Sequence, residues 1–385
     1  MDFPYNSLMK QTAGVLIVGG GVIGLSIAYA LARAGVKATV VDKCDLGQEA
    51  SWAAAGILPG NNPNRAKTPL GRLRGLAMEC FPRWSAELHD LTGQDNGYRR
   101  CGGLELRLSE TELEARRLRH LEKEEELEGQ NCRVLSRAEL RDREPTVTDS
   151  VPGALYFPDV AQVRSPWHLR ALTLACQQLG VTLVSHCPVG EIRCANGRIT
   201  EVHGPNQAWQ PDQVVIAAGA WSDRTLSALR LELGVRPVRG QIVLLRTRRP
   251  LLSAILMAGK RYLVPRGDGR ILVGSTEEDV GFVNQTTARA VGELIEFAVQ
   301  VMPALAAAEV ERTWAGLRPC TPDHRPFIGR APEYDNLYIA TGHFRSGLQL
   351  SAITGILMMQ MLLGKSLAVD MSPFAVDRLL HVGKD

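Results

Sequence analysis

The sequence carries little net charge and few aromatic side chains. Its 44 lysines and arginines nearly balance 41 aspartates and glutamates, which leaves a net charge of +3 over 385 residues. An excess this small provides no strong attraction for nucleic acid or for an anionic membrane surface. Aromatic residues make up only 5% of the chain, and the charge-dense stretch at 110–128 contains none. We therefore expect that stretch to be a solvated surface helix, and we expect no nucleic-acid partner.

Paired cysteines are also missing. The eight cysteines are scattered without a CxxC pair, so the sequence indicates neither a zinc site nor a redox dithiol, and we expect no metal. In a chain of this length they are typical of small buried residues in a reduced protein. The first twelve residues are polar and mixed, so we expect no secretory signal and a cytoplasmic location.

Only one apolar run is long enough to raise the question of a membrane span. Residues 348–363 are largely apolar, but the run falls short of the roughly 20 residues that a bilayer requires. It also contains Gln349, Ser351, Thr354 and Gln360, which would be costly in lipid. We therefore predict a helix in the protein core and no membrane insertion.

What the chain does contain is an ordinary globular composition with many glycines. Hydrophobic residues make up 45% and charged residues 22%, and there are 37 glycines. An apolar fraction of this size, without repeats, excludes collagen-like, disordered and disulfide-scaffold classes. At roughly 150 residues per domain, the length predicts two or three domains.

The first folding unit is a strand, a glycine-rich turn, a helix and a second strand. Residues 15–18 form a continuous apolar run, as expected of a strand buried on both faces. The turn at 19–24 leads into a helix that continues to Arg33, and the second strand over 38–41 ends at Asp42. This order predicts a βαβ unit with a parallel sheet.

Gly19, Gly21 and Gly24 within this unit form a GxGxxG pattern. The first glycine permits a tight turn, the second lets a pyrophosphate approach the backbone, and the third packs the helix on the strand. Asp42 would accept hydrogen bonds from the adenosine ribose, and its charge opposes the 2′-phosphate of NADP. The context therefore predicts a dinucleotide site.

NAD and FAD remain as candidates. An NAD enzyme usually needs one fingerprint and a separate catalytic domain, whereas this chain twice returns to a buried strand that ends in small residues, at 214–219 and 337–342. Because FAD is longer and stays bound, several chain segments wrap around it. We therefore favour FAD over NAD.

The remaining elements predict an α/β (α+β) fold, with a Rossmann-like FAD-binding domain and an interleaved antiparallel-sheet substrate domain. Helices are predicted over 70–91, 165–179 (with Ser165 as N-cap) and 288–301. Strands are predicted over 182–185, 191–193, 198–202, 214–217, 241–246, 262–265, 270–274 and 337–340. We assign 13–90, 150–225 and 312–370 to the FAD-binding domain, and 91–149 and 226–311 to the substrate domain.

Five segments together resemble the D-amino acid oxidase superfamily, and its glycine oxidase branch most of all. They are GGGVIG at 19–24, ASWAAAG at 50–56, VVIAAGAWS at 214–222, WAGLRPCTPDHRPFIG at 314–329 and ATGHFRSG at 340–347. The likeness covers nearly the whole chain in order. It implies a flavoenzyme that oxidises glycine, sarcosine or a small D-amino acid to an imine and then a 2-oxo acid, while oxygen is reduced to hydrogen peroxide.

The resemblance also implies which residues contact the cofactor and the substrate. Arg318 matches the arginine that binds the substrate carboxylate, and Tyr262 matches the tyrosine that assists it. The FAD contacts implied by the resemblance, together with glycines of the strand-end turns, are Gly19, Gly21, Val22, Ile23, Gly24, Asp42, Lys43, Ala50, Ser51, Ala55, Gly56, Ile57, Val189, Gly219, His343, Phe344, Arg345, Ser346, Gly347, Leu348 and Gln349.

Physical reasons support these roles. A bidentate arginine fork clamps a carboxylate better than lysine does, and we expect Arg318, between Gly316 and Pro319, to lie in a constrained loop. No general base is required, because a neutral amine can release a hydride directly to the flavin. The helix after Ser346 would point its N-terminus at the negative charge of the reduced flavin.

Two residues depart from the family pattern. Cys320 stands where glycine is common in the family. It is either unreactive or covalently linked to the flavin. Glu277 stands where relatives have an apolar residue near the substrate, so it either narrows the choice of substrate side chain or faces solvent.

The sequence is also compatible with two classes of enzyme that differ in their electron acceptor. The chain is either an oxidase that uses oxygen or a dehydrogenase that passes electrons to a quinone or partner subunit, as in relatives of hydrogen cyanide synthase. The glycine oxidase branch serves thiamine biosynthesis, so thiazole synthase is a candidate acceptor of the imine. We also expect a homo-oligomer.

Overall fold

The computed structural model describes residues 9–107, 130–367 and 369–379. The surface helix predicted at 110–128 lies outside these residues. The described part contains eight α-helices: α1 Val22–Arg33, α2 Glu49–Ala53, α3 Pro69–Thr92, α4 Arg137–Arg143, α5 Ser165–Gln178, α6 Ser222–Leu226, α7 Ala288–Val301 and α8 Gly347–Leu362.

The helices predicted within the described residues are confirmed, with one error at a helix start. The helix predicted over 288–301 coincides with α7, and that over 70–91 is α3 within one residue at each end. The N-cap of α5 is Arg164 and not Ser165. Ser165 is the first helical residue, and its hydroxyl donates instead to the carbonyl of Ala54 at 2.7 Å. The prediction of Ser165 as N-cap is wrong because a tertiary contact takes the hydroxyl.

The strands of the described residues are β1 Met9–Val18, β2 Ala38–Val41, β3 Ile57–Leu58, β4 Arg99–Arg100, β5 Gly103–Arg107, β6 Arg133–Ser136, β7 Gly153–Phe157, β8 Ala161–Gln162, β9 Thr182–Val184, β10 Glu191–Ala195, β11 Arg198–His203, β12 Gln207–Ile216, β13 Arg236–Arg246, β14 Ile255–Ala258, β15 Arg261–Pro265, β16 Arg270–Gly274, β17 Glu309–Cys320, β18 Phe327–Arg330 and β19 Leu337–Thr341. All ten predicted strands are present, counting the two of the βαβ unit, and several of them are longer than expected.

The first sheet has a parallel core, as the βαβ pattern predicts. Its strand order is β10-β11-β12-β1-β2-β9, and β19 pairs with β12 and with β18. Strands β12, β1, β2 and β9 run parallel to one another, and β19 runs parallel to β12. Parallel strands direct their carboxyl ends to one edge, where α/β proteins bind ligands. The glycine-rich turn after β1 and the small residues after β12 and β19 meet at this edge.

The second sheet has the order β17-β13-β16-β15-β14-β5-β7-β6. Neighbours are antiparallel except β14 and β5, which are parallel. A short third sheet joins β3, β8 and β4. The predicted domain boundaries place β7 and most of β17 with the FAD-binding domain, but both strands hydrogen-bond within the second sheet. Apart from these two strands, the boundaries stay a prediction.

Helices α1, α3, α5 and α8 pack together on one face of the first sheet. The approach of α8 to α1 depends on Gly355, because a Cβ there would lie 2.5 Å from the carbonyl oxygen of Ser26. The apolar run at 348–363 is thus a helix of the core, as predicted. None of the described helices is long and apolar enough to span a bilayer.

The cysteines are less uniformly buried than predicted. All eight are free thiols. Cys176, Cys187 and Cys320 are buried, but Cys194 is exposed and the other four are partly exposed. The prediction of core residues is wrong for Cys194, which lies on the edge strand β10.

Candidate active site

One cavity of about 620 Å³ runs along the carboxyl edge of the first sheet and reaches strands of the second. Its volume is within the roughly 300–1,000 Å³ of small-molecule sites. Its wall contains the turns after β1, β12 and β19, the segment from α2 to β3, and residues of β13, β15 and β17.

The glycine-rich turn has the geometry that its spacing predicts. Gly19 has a φ of +112°, and a Cβ there would lie 2.4 Å from the carbonyl oxygen of Ala217. A Cβ at Gly24 would lie only 1.9 Å from the carbonyl oxygen of Gly19. Gly24 therefore packs helix against turn and is not part of the cavity wall, whereas Gly21, the N-cap of α1, is. The N-terminus of α1 thus meets the cavity through a residue without a side chain, which suits an anion.

Asp42 is fixed by the same turn. Its Oδ2 accepts the backbone N–H of Gly20 at 2.7 Å, and its Oδ1 accepts that of Cys44 at 2.8 Å. An ionised carboxylate has about four acceptor positions, so two remain for hydroxyl groups in the cavity. The neighbouring Lys43 lies with its Nζ 3.3 Å from the ring centroid of Trp221, another wall residue.

The segment from α2 to β3 forms a second wall. The Ser51 hydroxyl accepts the N–H of Val22 at 3.0 Å, which links this wall to the start of α1. Behind it lies the buried Arg266, which donates to the carbonyls of Ala55 at 2.8 Å and Val163 at 3.1 Å. Burial lowers the pKa of Arg266 to about 10, so it is still a cation at neutral pH. It holds the wall in place.

The segment 343–349 brings the start of α8 to the cavity. His343 is buried, lies within 3.2 Å of the Thr354 hydroxyl through Nε2, and burial lowers its pKa to about 3. It is therefore neutral. Ser346, just before α8, accepts hydrogen bonds from the Arg74 guanidinium at 3.0 and 3.2 Å. Gly347 then begins the helix on the cavity wall.

Arg318 reaches the cavity from strand β17, so the prediction of a constrained loop is wrong. The GLRP sequence continues the strand because it pairs with β13 in register, Arg318 opposite Val238. Its Nη2 donates to the Ser275 hydroxyl at 2.7 Å and its Nη1 to the Thr276 carbonyl at 3.1 Å. Burial lowers the pKa of Arg318 from its ordinary value, and the Tyr262 hydroxyl lies within its reach.

Two strand glycines make room for this pair. A Cβ at Gly240 would lie 2.2–2.3 Å from the Arg318 guanidinium, and one at Gly274 would lie 2.6 Å from the Tyr262 ring. A glycine inside a strand often marks a close approach of this kind. The isolated glycines of VRGQIV and ILVGST are therefore the signal that sequence reasoning missed. Ser275, Arg74 and Arg266 carry no comparable signal.

Glu277 does not face solvent freely. It pairs with Arg345 and lies 3.5 Å from Lys260. Partial burial alone would raise its pKa, but the charges of Arg345 and Lys260 hold the pKa of Glu277 below its usual value. It is therefore an anion between two cations.

Cys320 is buried beside the cavity but is not one of the described residues that line it. Its Sγ lies 3.6 Å from the Thr321 carbonyl and 3.5 Å from His324 Nδ1, and burial raises the pKa of its thiol. A raised pKa disfavours the reactive thiolate. This placement offers no support for a covalent link to flavin.

All the predicted site residues except Gly24 line this one cavity. Whether they contact a cofactor or a substrate stays a prediction. No group of three or more histidine, cysteine, aspartate or glutamate side chains placed to hold a metal ion occurs in the part of the chain that the structure describes.

The wall fits FAD. Asp42 offers acceptors for a ribose, the start of α1 offers N–H groups to a pyrophosphate, and the start of α8 does so further along. At Gly219, which has a φ of +55°, a Cβ would meet no described atom within 4 Å, so the backbone there borders open cavity. A long ligand with a phosphate in the middle matches this series of groups.

Comparison with known proteins also indicates an FAD-dependent enzyme. Residues 14–361 match the family model described as FAD dependent oxidoreductase, DAO. The glycine oxidase of Pseudomonas putida is 35% identical over 365 residues, 94% of this chain and 97% of that protein. The bifunctional protein ThiO/ThiG of Synechocystis is 34% identical over 97% of this chain but only 55% of its own length. The hydrogen cyanide synthase subunit HcnC of Pseudomonas aeruginosa is 31% identical over 96% of this chain and 97% of that protein.

Solved structures of two named oxidases have the same fold. The glycine oxidase of Geobacillus kaustophilus superposes with a TM-score of 0.88 at 31% identity, covering 96% of this chain and 99% of that one. The iminodiacetate oxidase of Chelativorans superposes with a TM-score of 0.83 at 27% identity, covering 94% and 98%.

Proposed function

Because this chain belongs to the DAO family of FAD-dependent oxidoreductases, we propose that it is an oxidase of glycine and similarly small amino acids. The overall reaction would convert glycine, oxygen and water to glyoxylate, ammonia and hydrogen peroxide. The substrate follows from relatives named glycine oxidase that align over nearly the full length of both chains. The family resemblance, the fold class and the cofactor predicted from the sequence are confirmed.

The observation that carries the proposal is the Arg318 guanidinium on the cavity wall. Ser275 and Thr276 hold it from behind, and a guanidinium has five N–H donors, so donors remain for a carboxylate. The Tyr262 hydroxyl, which interacts with Arg318, would assist in binding the carboxylate. A substrate as small as glycine is oriented once its carboxylate is clamped, and this orientation is what the protein contributes to the rate.

Bound FAD would supply the acceptor for a hydride from the substrate carbon and the path of the electrons to oxygen. The residues that would hold it are the turn at Gly19, Asp42, the α2–β3 wall and the segment 343–349. The amide groups at the start of α8 would stabilise negative charge in the reduced state. We assign no general base, because a neutral amine releases a hydride without one.

We further propose that the product serves thiamine biosynthesis in the cytoplasm, with thiazole synthase as an acceptor of the imine. The bifunctional Synechocystis relative supports this link, because this chain matches only 55% of it, and its remainder belongs to the same polypeptide. The eight free thiols suit a reducing compartment.

The test is a substrate panel read by hydrogen peroxide. The flavin-loaded protein is mixed in air with glycine, sarcosine, D-alanine and, as a control, L-alanine. We expect peroxide from glycine and none from L-alanine. Absence of peroxide with every small amino acid would sink the oxidase proposal.

The second candidate is a dehydrogenase, which the similarity to HcnC favours. Glycine under nitrogen would then bleach the flavin, and admission of air would restore its colour only slowly. Rapid recovery in air, at the rate of peroxide formation, supports the oxidase.

A further inference from the structure

Glu277, Lys260 and Arg345 form an ion-pair cluster at the rim of the cavity. The Glu277 carboxylate accepts a hydrogen bond from Arg345 and lies 3.5 Å from Lys260 Nζ. Both cations line the cavity, and their side chains are 41% and 74% exposed for Arg345 and Lys260. The two cations are therefore open both to solvent and to the cavity that Arg318 lines.

The cluster is electrostatically coupled to the clamp. The charges of Arg345 and Glu277 both act on Arg318. If the Glu277 charge were removed, three cations would face an entering substrate. One bidentate guanidinium is enough for one carboxylate, so Arg345 and Lys260 would be left to attract a second anionic group.

We propose that Glu277 determines specificity by acting as an internal substitute for the second carboxylate of a substrate. It neutralises Arg345 and Lys260. A monocarboxylate therefore binds at Arg318, whereas the second carboxylate of a dicarboxylate meets two cations that are already paired with Glu277. The inference rests on the proposed function and adds the substrate class, small monocarboxylic amino acids, from which dicarboxylic amines such as iminodiacetate are excluded. Glu277 acts through Arg345 and Lys260, so it is a positioning residue.

The variant Glu277→Gln tests this, because it keeps the shape and removes the charge. We expect the ratio of kcat/KM for iminodiacetate to kcat/KM for glycine to rise about tenfold, since hydrogen bonds to charged groups have this order of strength. The change should lie in KM for iminodiacetate and not in kcat. Calorimetric binding of malonate relative to acetate should tighten by a similar factor, independently of turnover.

The matched control is Glu311→Gln. Glu311 pairs with Arg270 at 2.8 Å and its side chain is 26% exposed, against 25% for Glu277, but neither partner lines the cavity. We expect both ratios to stay at the wild-type value in this control. An equal change in the two variants would overturn the proposal, since it would then reflect general surface charge.

Three other results would also overturn the proposal. Unchanged ratios in Glu277→Gln, or a wild-type protein that already prefers iminodiacetate, would overturn the proposal. So would loss of activity toward D-ornithine without a gain for iminodiacetate, because Glu277 would then recognise a cationic side chain. If the wild type oxidises no amino acid, the proposed function fails, but the malonate and acetate titrations still test Glu277.

Discussion

The position of Arg318 depends on single residues that are distant from it in the sequence. It is positioned by the hydroxyl of Ser275 and the carbonyl of Thr276, and its guanidinium occupies space that Gly240 leaves open. The motif around Arg318 predicted its role, but not its support. Those contacts depend on the register between β13, β16 and β17, which local patterns do not contain.

Gly240→Ala should weaken substrate binding while preserving the fold. The new Cβ would lie 2.2 Å from the Arg318 guanidinium, the flexible end of a side chain, which would move away from its place in the cavity. We expect KM for glycine to rise at least tenfold with little change in the melting temperature. Gly267→Ala is the control, since a Cβ there meets no described atom within 4 Å. An unchanged KM in Gly240→Ala would contradict the assigned position of the clamp.

At the scale of elements, the sequence is most informative where structure is local. The strand, turn and helix at 15–33 and the buried helix α8 follow from continuous apolar runs and glycine spacing, and both are present. The start of α5 and the strand that contains Arg318 were mispredicted. In each case a contact with a remote segment, Ala54 for Ser165 and β13 for β17, overrides the local signal.

Gly24→Ala should damage both α1 and the cofactor site. The Cβ would lie 1.9 Å from the carbonyl oxygen of Gly19, so backbone must move, and overpacking of this kind costs about 1–3 kcal/mol. We expect a lower melting temperature and loss of flavin on gel filtration. Gly292→Ala in α7 meets no described atom within 4 Å and should be neutral or stabilising by up to about 1 kcal/mol. Retention of flavin at wild-type strength in Gly24→Ala would contradict the packing argument.

At the scale of the whole molecule, an ion pair attaches the last described residues to the loop between β17 and β18. Arg378 donates to Asp323 through Nε at 2.9 Å and Nη2 at 3.0 Å. Partial burial alone would raise the pKa of Asp323, but the hydrogen bonds from Arg378 and from the backbone N–H of Arg325, together with both arginine charges, bring it to about 2. This attachment joins residues more than fifty positions apart, and no sequence pattern predicted it.

The lowered pKa of Asp323 makes stability depend on acid. Because the folded-state pKa lies below the ordinary value of 3.8, the stabilisation is fully present above about pH 4 and is lost as pH falls toward 2. We expect the unfolding free energy of Asp323→Asn to fall less steeply than that of the wild type between pH 5 and pH 2. The control is Asp335→Asn, whose side chain is 74% exposed. Identical pH profiles for wild type and Asp323→Asn would contradict the assignment.

The two large sheets and the gathering of the predicted site residues at one cavity were predictable in outline, since the three strand-end turns are visible in the sequence. The mixed second sheet, the parallel pairing of β5 with β14 and the ion-pair cluster at Glu277 were not. They arise from long-range pairing of segments whose local sequences are compatible with several neighbours. The oligomeric state stays a prediction.

The central claim is that Arg318 clamps an amino acid carboxylate for oxidation by the bound flavin. The most direct measurement is the loss of oxidised-flavin absorbance on rapid mixing with glycine under nitrogen, for the wild type and for Arg318→Ala. The account predicts saturable bleaching in the wild type. In the variant it predicts a loss of about 2–4 kcal/mol of transition-state binding, seen as a far lower bleaching rate at low glycine concentration. Absence of bleaching in the wild type, or equal rates in the two proteins, would contradict it.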